Sequence, residues 1–402
     1  MKAKYVVLLI PAFCSSLIYG QSTDSSAAAQ KTKDPLKTAF ARGIRVLAPD
    51  SSYTIKFGFR FQNLLSLEAL SNDPAAIEAE MMVRRCRLKA DGFVFSPDIE
   101  YKFELGISNR DMGNPVPQGN MAPGIVYDAV VKWRFAPNTE LWFGQTKLPG
   151  NRERVISSQA LQFVDRSRLN ADYNLDRDVG LQLHHQFEVG NVVIRDIYAL
   201  SIGEGRNITV TNRGGLDYTA RLEMLPFGEF TKNGDYFSSD LYREKTPKLS
   251  VAATYDYNQG ASNEQGQLGD FLNGTTDLRT VFADLMFKYR GFSVLAEYAN
   301  KNSDQPVVYN NLGQPDGTFV VGKGYSVQGG YLFKNNWELA ARYTHIDPVR
   351  NIGLDASWMY TLGISRYIVG HNLKFQSDIS LTDVEFAGPH SLMFRFQTEV
   401  AF

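Results

Sequence analysis

The chain has 402 residues, of which 44% are hydrophobic and 21% charged, a composition that excludes neither a soluble fold nor a membrane barrel. Its 42 basic and 43 acidic residues are too evenly balanced for a nucleic-acid partner. With 20 Tyr and 26 Phe against 4 Trp, the aromatic content suits strands and membrane-interface girdles better than a helical protein.

The first elements belong to export. Lys2 and Lys4 precede an apolar run from Tyr5 to Tyr19, and Gly20 before Gln21 offers a cleavage point, so residues 1–20 read as a signal peptide. Its removal takes away two lysines and no acid, leaving a net charge of about −3. Cys14 lies inside this segment behind bulky Phe13, which argues against lipid modification. Only Cys86 then remains, so no internal disulfide can form. Residues 21–50 begin with a Ser-, Ala-, Gln- and Lys-rich stretch without periodicity and are expected to form a partly disordered periplasmic leader.

The pattern changes at Tyr53. Tyr53, Ile55, Phe57, Phe59 and Phe61 alternate with Thr54, Lys56, Gly58, Arg60 and Gln62, the period of a strand with one apolar and one polar face. Comparable segments follow at 81–95, 98–108, 126–135, 139–146, 178–187, 191–203, 216–225, 248–258, 278–290, 292–300, 324–333, 337–346, 356–368, 371–382 and 391–402. Counting 53–67, that makes sixteen, each near the length a tilted strand needs to cross hydrocarbon. The mature chain has no apolar run long enough for a spanning helix. An all-β fold is therefore expected, with residues 51–402 closing as a transmembrane antiparallel β-barrel in the outer membrane of a two-membraned bacterium.

Short turns at Ser96-Pro97, Ala136 to Asn138, Glu188 to Gly190, Arg290-Gly291, Lys334 to Asn336 and Ile368 to Gly370 alternate with mostly longer links, as in a barrel with both termini on the periplasmic side. Phe227 to Pro247 breaks this rule, being long where a short turn belongs. In the last segment, Leu392, Phe394, Phe396, Thr398, Val400 and Phe402 share one face. A terminal aromatic on such a strand resembles the signal read by outer-membrane assembly machinery.

The order Gly144-Gln145-Thr146-Lys147-Leu148-Pro149, Ser157-Ser158, Phe163 to Ser167 and Arg177-Asp178-Val179-Gly180 resembles the phosphate-selective porin O and P family. Further matches are Asp284 to Ser293 with Glu297-Tyr298, and Gly330-Tyr331 through Trp337 to Tyr343. The chain departs from the family pattern at Thr146, Gly150-Asn151 and Asp165, differences that bear on selectivity rather than on fold. The resemblance implies a sixteen-stranded, trimeric porin embedded in outer-membrane lipid, with the third long loop, about Lys147 to Arg177, folded into the lumen.

Anion passage needs fixed cations where a pore narrows. The third loop supplies Lys147, Arg152, Arg154, Arg166, Arg168 and Arg177, although Glu153, Asp165, Asp172 and Asp176 stand among them. On the barrel wall, Arg60, Arg85, Arg87, Lys132, Arg134, Arg221, Arg342 and Arg395 fall on polar faces, opposed by acids such as Glu100, Glu104, Asp128, Glu223, Asp284 and Glu399. Arg84 falls on the lipid face by the same alternation. These cations point to passive diffusion of small anions, with phosphate or polyphosphate as the candidate substrates. A weakly selective general porin is the alternative within the fold. A barrel enzyme or adhesin without pore function is the alternative in class, with His345 and Ser357 or Ser365 as the one pairing to offer. No metal or cofactor is expected, since His184-His185 place one ring on each face and no ligand cluster shows metal spacing.

Overall fold

The computed structural model describes residues 43–70, 73–112, 124–208, 214–350, 353–385 and 390–402. The expected signal peptide, and the part of the leader before residue 43, lie outside them.

Sixteen antiparallel strands close on themselves: β2 (Thr54–Leu70), β3 (Asp73–Val94), β4 (Ser96–Gly106), β5 (Val126–Ala136), β6 (Thr139–Lys147), β7 (Arg177–Val189), β8 (Val192–Ser201), β9 (Asp217–Leu225), β10 (Lys248–Asn263), β11 (Phe271–Tyr289), β12 (Phe292–Ser303), β15 (Gly322–Leu332), β16 (Trp337–Pro348), β17 (Ser357–Val369), β18 (Leu373–Val384) and β19 (Ser391–Ala401). Each of the sixteen expected segments corresponds to one of them. Closure is made by β19 against β2, where Ala401 faces Arg60 and Ser391 faces Leu70. Closing the ring gives every strand two neighbours, which satisfies backbone groups that lipid could not.

Three further strands are short. β1 (Ile44–Leu47) lies within the segment read as a leader and pairs with Thr54 to Phe57 of β2, below the point where β19 ends. β13 (Val307–Tyr309) and β14 (Pro315–Thr318) form a separate hairpin between β12 and β15.

The alternation of burial is inverted relative to a water-soluble sheet. In β9, Asp217, Thr219, Arg221 and Glu223 are buried, while Tyr218, Leu222 and Met224 are exposed. In β16, Glu338, Arg342 and Thr344 are buried and Trp337 and Leu339 exposed. A wall with apolar side chains outward and charges inward is stable only with lipid on the outside and a polar interior. The last strand follows suit: Leu392, Phe394 and Phe396 face out, while Arg395, Gln397 and Glu399 are buried. Phe402 continues the ladder, exchanging backbone hydrogen bonds with Phe59 at 2.8 and 2.9 Å, and its ring lies 5.5 Å from that of Phe59.

Two departures from the expected pattern have local causes. A β-bulge in β3 sets Gln62 opposite Arg85 and Asn63 opposite Val83, leaving Arg84 as the extra residue. The bulge turns Arg84 inward, where it reaches Asp165 at 3.2 Å, so its expected place on the lipid face is corrected. The β2–β3 and β10–β11 connections are also shorter than expected. Both hairpins extend their ladders, to Leu70 and Asp73 and to Asn263 and Phe271, because continued pairing satisfies the backbone beyond the membrane.

At the end bearing β1 and Phe402, the connections are tight. Asn138 and Arg290 both adopt positive φ, 55° and 49°, and Gly291 follows Arg290 at 94°, the geometry of narrow hairpins. The exception is residues 226–247, between β9 and β10. It is a real excursion with the flanking register intact, since Val251 pairs with Met224 on one side and Leu285 on the other.

Candidate functional site

Residues 148–176, between β6 and β7, carry two short helices and a 3₁₀ turn. Ser157 and Ser167 cap their turns, accepting from the amides of Gln159 and Asn170 at 3.3 and 3.2 Å. Such caps let a loop end its backbone donors without a partner strand.

The segment bonds to widely separated strands. Arg152 is fully buried and meets Glu223 of β9 at 2.8 Å, Asp284 of β11 at 3.3 Å and Asp235 at 3.4 Å, and donates to Ser250 Oγ of β10 at 3.0 Å. Farther on, Gln162 Nε2 donates to Glu338 of β16 at 2.7 Å, and the amide of Val164 donates to Asp378 of β18 at 3.1 Å. Asp165 accepts from Arg85 of β3 at 2.7 Å and lies 3.8 Å from Arg395 of β19. Burial works against ionisation of Asp165, but Arg85, Arg84 and Arg395 outweigh it and hold its carboxyl well below the usual carboxylate range.

The remaining cations divide by partner. Arg154 bonds Asp176 at 2.8 Å, Arg168 bonds Asp172 at 2.9 Å, and Arg177 bonds Asp128 at 3.0 Å. On the wall, Arg60 lies 3.6 Å from Glu399, Arg87 holds Glu104 and Asp111 at 2.8 and 2.9 Å, and Arg395 holds Asp378 at 2.7 Å. Arg221 holds Glu223 and Asp284 at 2.8 and 2.6 Å, Arg342 lies 3.6 Å from Glu153, and Arg134 stands at an exposed rim, 3.2 Å from Glu140.

Among the described cations that line the cavity beside the third loop, four meet no carboxylate. Lys147 Nζ donates to the carbonyls of Arg154, Val155 and Ile156 at 2.7 to 3.1 Å. Arg166 donates to the carbonyls of Glu153 and Ile156 at 2.8 and 2.7 Å. Lys132 sits 3.7 Å over the Trp142 ring. Arg206 donates to the carbonyls of Gly124 and Asp111 at 3.0 and 2.8 Å and lies 3.9 Å over the Tyr127 ring. Carbonyls and rings orient these groups without cancelling their charge. Burial first, and then Arg154 and Arg85, push the Arg166 guanidinium well below its usual range, against the opposing pull of Glu153 and Asp165.

All four line one cavity of about 640 Å³ between β3–β9 and the third loop. Of the other residues expected at the site, Arg85, Arg87, Arg154, Arg177 and Arg221 line it as well. Arg60 lines a second cavity of about 250 Å³, beside Gly43 and Phe402, which shares Arg87, Lys102, Glu104 and Ser157 with the first. Arg152, Arg168, Arg134, Arg342 and Arg395 line neither cavity.

Arg84, Lys102, Arg110 and Arg206 also line the first cavity and were not expected there. Lys102 was legible, since it shares a face with Glu100 and Glu104 at period two. Arg206 follows a glycine-rich turn and carries no periodic signal.

The serine and histidine pairing does not assemble as a hydroxyl contact: His345 Nδ1 lies 3.2 Å from the backbone carbonyl of Ser357. Ser365 is buried on the inward face, donating to the Gln162 carbonyl at 3.3 Å. His345, between inward Thr344 and Ile346, stacks outward on Trp358 at 5.2 Å. His184 lines the first cavity and stacks on Trp142 at 3.9 Å, while His185 bonds Asp196 on the other side of the strand.

The sequence profile of phosphate-selective porin O and P matches residues 56–390. No curated protein matches the chain in sequence. In fold, the chain is similar to the outer membrane channel DcaP of Acinetobacter baumannii, with TM-score 0.56 and 10% identity over 89% of this chain and 99% of that one. It is similar also to the anion-selective porin from Comamonas acidovorans, with TM-score 0.52 and 12% identity over 87% and 100%. In-vitro folded OmpT from Vibrio cholerae, in its trimer form, gives TM-score 0.51 and 12% identity over 87% and 100%.

Proposed function

The chain belongs to the phosphate-selective porin O and P family, and on that premise we propose that this outer-membrane porin passes small anions by diffusion, with phosphate or polyphosphate among its substrates. The observation that carries the reading is the set of four cations, Lys132, Lys147, Arg166 and Arg206, that line one cavity and meet no carboxylate among the described residues. An anion leaving water needs compensating charge and donors at the constriction. The arginines add planar forks suited to oxyanions. The third loop bonds to β9–β11 through Arg152 and to β16 and β18 through Gln162 and Val164, which supports a loop drawn across the lumen.

Planar-bilayer recording from the purified protein tests the proposal. A reversal potential favouring anions under a salt gradient, with chloride current reduced by added phosphate, is the expected result. A cation-favouring potential would overturn it.

The weakly selective alternative draws on the neutralised cations, since Arg152, Arg177, Arg221 and Arg395 are each fixed by carboxylates. A reversal potential near zero with no phosphate effect favours that reading. The homotrimer in lipid, the export signal at 1–20 and the reading of Phe402 by assembly machinery complete the proposal. Cross-linking in membranes tests the first, mass analysis of the mature N-terminus the second, and removal of Phe402 with measurement of folded yield the third.

A further inference from the structure

The connection 226–247 lies at the end of the barrel where the other connections are tight, yet its interior is as buried as a core. Asp235, Ser238, Ser239 and Asp240 are each at most 1% exposed. We propose that this turn is a second pore-dividing element: it floors one side of the lumen, locks the third loop from below, and confines permeation to the cation-lined side. The proposal rests on the pore reading.

The contacts run across the barrel. Asp235 bonds Arg195 of β8 at 2.7 Å. Lys288 of β11 donates to the carbonyls of Gly234, Phe237 and Ser239 at 2.7 to 2.8 Å, and Asp240 accepts from the amide of Gly291 at 2.7 Å. On the far side Ser239 Oγ reaches Glu338 of β16 and Tyr367 of β17, both at 2.7 Å, and the Phe237 ring stacks on His371, 5.6 Å away. A segment bonded to β8, β11, β16 and β17 at inward-facing groups spans the interior rather than lying along its edge.

The same turn grips the third loop. Arg152 meets Asp235 at 3.4 Å, the amide of Ser238 donates to the Ala160 carbonyl at 3.0 Å, and Phe230 packs in one apolar cluster with Ile156, Ala160 and Leu161. Loop and turn are anchored alike, by a lysine that donates to three carbonyls: Lys147 for the loop and Lys288 for the turn. Each anchor holds a backbone segment in place through several bonds at once, without needing a carboxylate.

The consequence for transport is directional. The larger cavity described above lies against β3–β9, the smaller against β2–β4 and the end of β19, and Asn233 and Tyr236 of the turn line the larger one. The turn is thus both the floor of the filled side and part of the wall of the open side. Ions are forced past Lys132, Lys147, Arg166 and Arg206 because the rest of the cross-section is occupied by the loop and the turn together.

The test replaces Glu229 to Thr246 by Asn-Gly, which suffices because β9 and β10 are paired neighbours. Planar-bilayer conductance should rise at least twofold and the anion preference should fall. A second variant keeps the full chain: Tyr236→Cys in a Cys86→Ser background, treated with a bulky methanethiosulfonate reagent, should lose current, while Cys86→Ser alone should not. Unchanged conductance and reversal potential in the shortened chain, or Tyr236→Cys that reacts without loss of current, would overturn the inference. A native chain that carries no current overturns the pore reading and this inference together, whereas a conducting native chain with indifferent variants overturns the inference alone.

Discussion

Arg152 and Arg166 belong to one loop and have opposite surroundings. Arg152 is saturated by Glu223, Asp284 and Asp235. Replacing it by Met leaves only Arg221 and Arg195 against the three buried carboxylates, and removal of one partner of a buried pair costs about 3–5 kcal/mol. Arg152→Met is therefore expected to lower the denaturant midpoint of the folded barrel, and to add current noise as the loop loosens. Arg152→Lys should recover little of the loss, because a point charge cannot replace four directed contacts. Arg166 has only carbonyl partners, so Arg166→Gln should leave the midpoint nearly unchanged. Its charge matters to an anion in the cavity at roughly 1 kcal/mol in a water-like medium, which corresponds to about a fivefold weaker phosphate effect on chloride current. Equal loss of stability in both variants would contradict this division of roles.

At the scale of the element, the bulge at Arg84 is the point where periodic reading stops. The strands were legible because lipid on one face and water on the other impose a strict period of two, as in β9 and β19. The bulge inserts a residue and leaves both flanking ladders regular, so nothing in the spacing of Arg84 and Arg85 announces it. Deleting Arg84 should therefore remove the bulge without shifting either flank. The expected outcome is a barrel that still shows heat-modifiable mobility on a denaturing gel, with Asp165 left to Arg85 and Arg395. Deleting Tyr343 from β16, whose ladders with β15 and β17 have no shift, should abolish folding, because every inward residue on one flank would turn to lipid. The third loop and the 226–247 turn were harder to read for a related reason. Their side chains answer to the barrel interior from several directions at once, so Arg152 as an anchor and Arg166 without a carboxylate look alike in sequence. Lys102 is the exception, readable from its neighbours Glu100 and Glu104.

For the whole molecule, the question is whether selectivity comes from the field of the uncompensated cations or from direct coordination of the anion. The formal charge of the chain is −1, so a positive lumen is a matter of arrangement: acids are spent in pairs with Arg87, Arg152, Arg177 and Arg221, while Lys132, Lys147, Arg166 and Arg206 meet no carboxylate beside one cavity. A field acting through water is screened over about 10 Å at 0.1 M salt and about 3 Å at 1 M. Coordination at hydrogen-bond distance is shorter than either length and survives the change. If the field dominates, the reversal potential for a fixed tenfold gradient should shrink toward zero as mean chloride concentration rises from about 0.03 to about 1 M. Phosphate inhibition of chloride current separates the second contribution, because donors such as Arg166 and Arg206 act at contact. The arrangement of donors around a cavity of about 640 Å³ leads us to expect both: a chloride preference that fades with salt, and a phosphate effect that persists at about 1 M. Loss of both together would mean that the arginines act only as distant charges, and would reduce their geometry to a structural role.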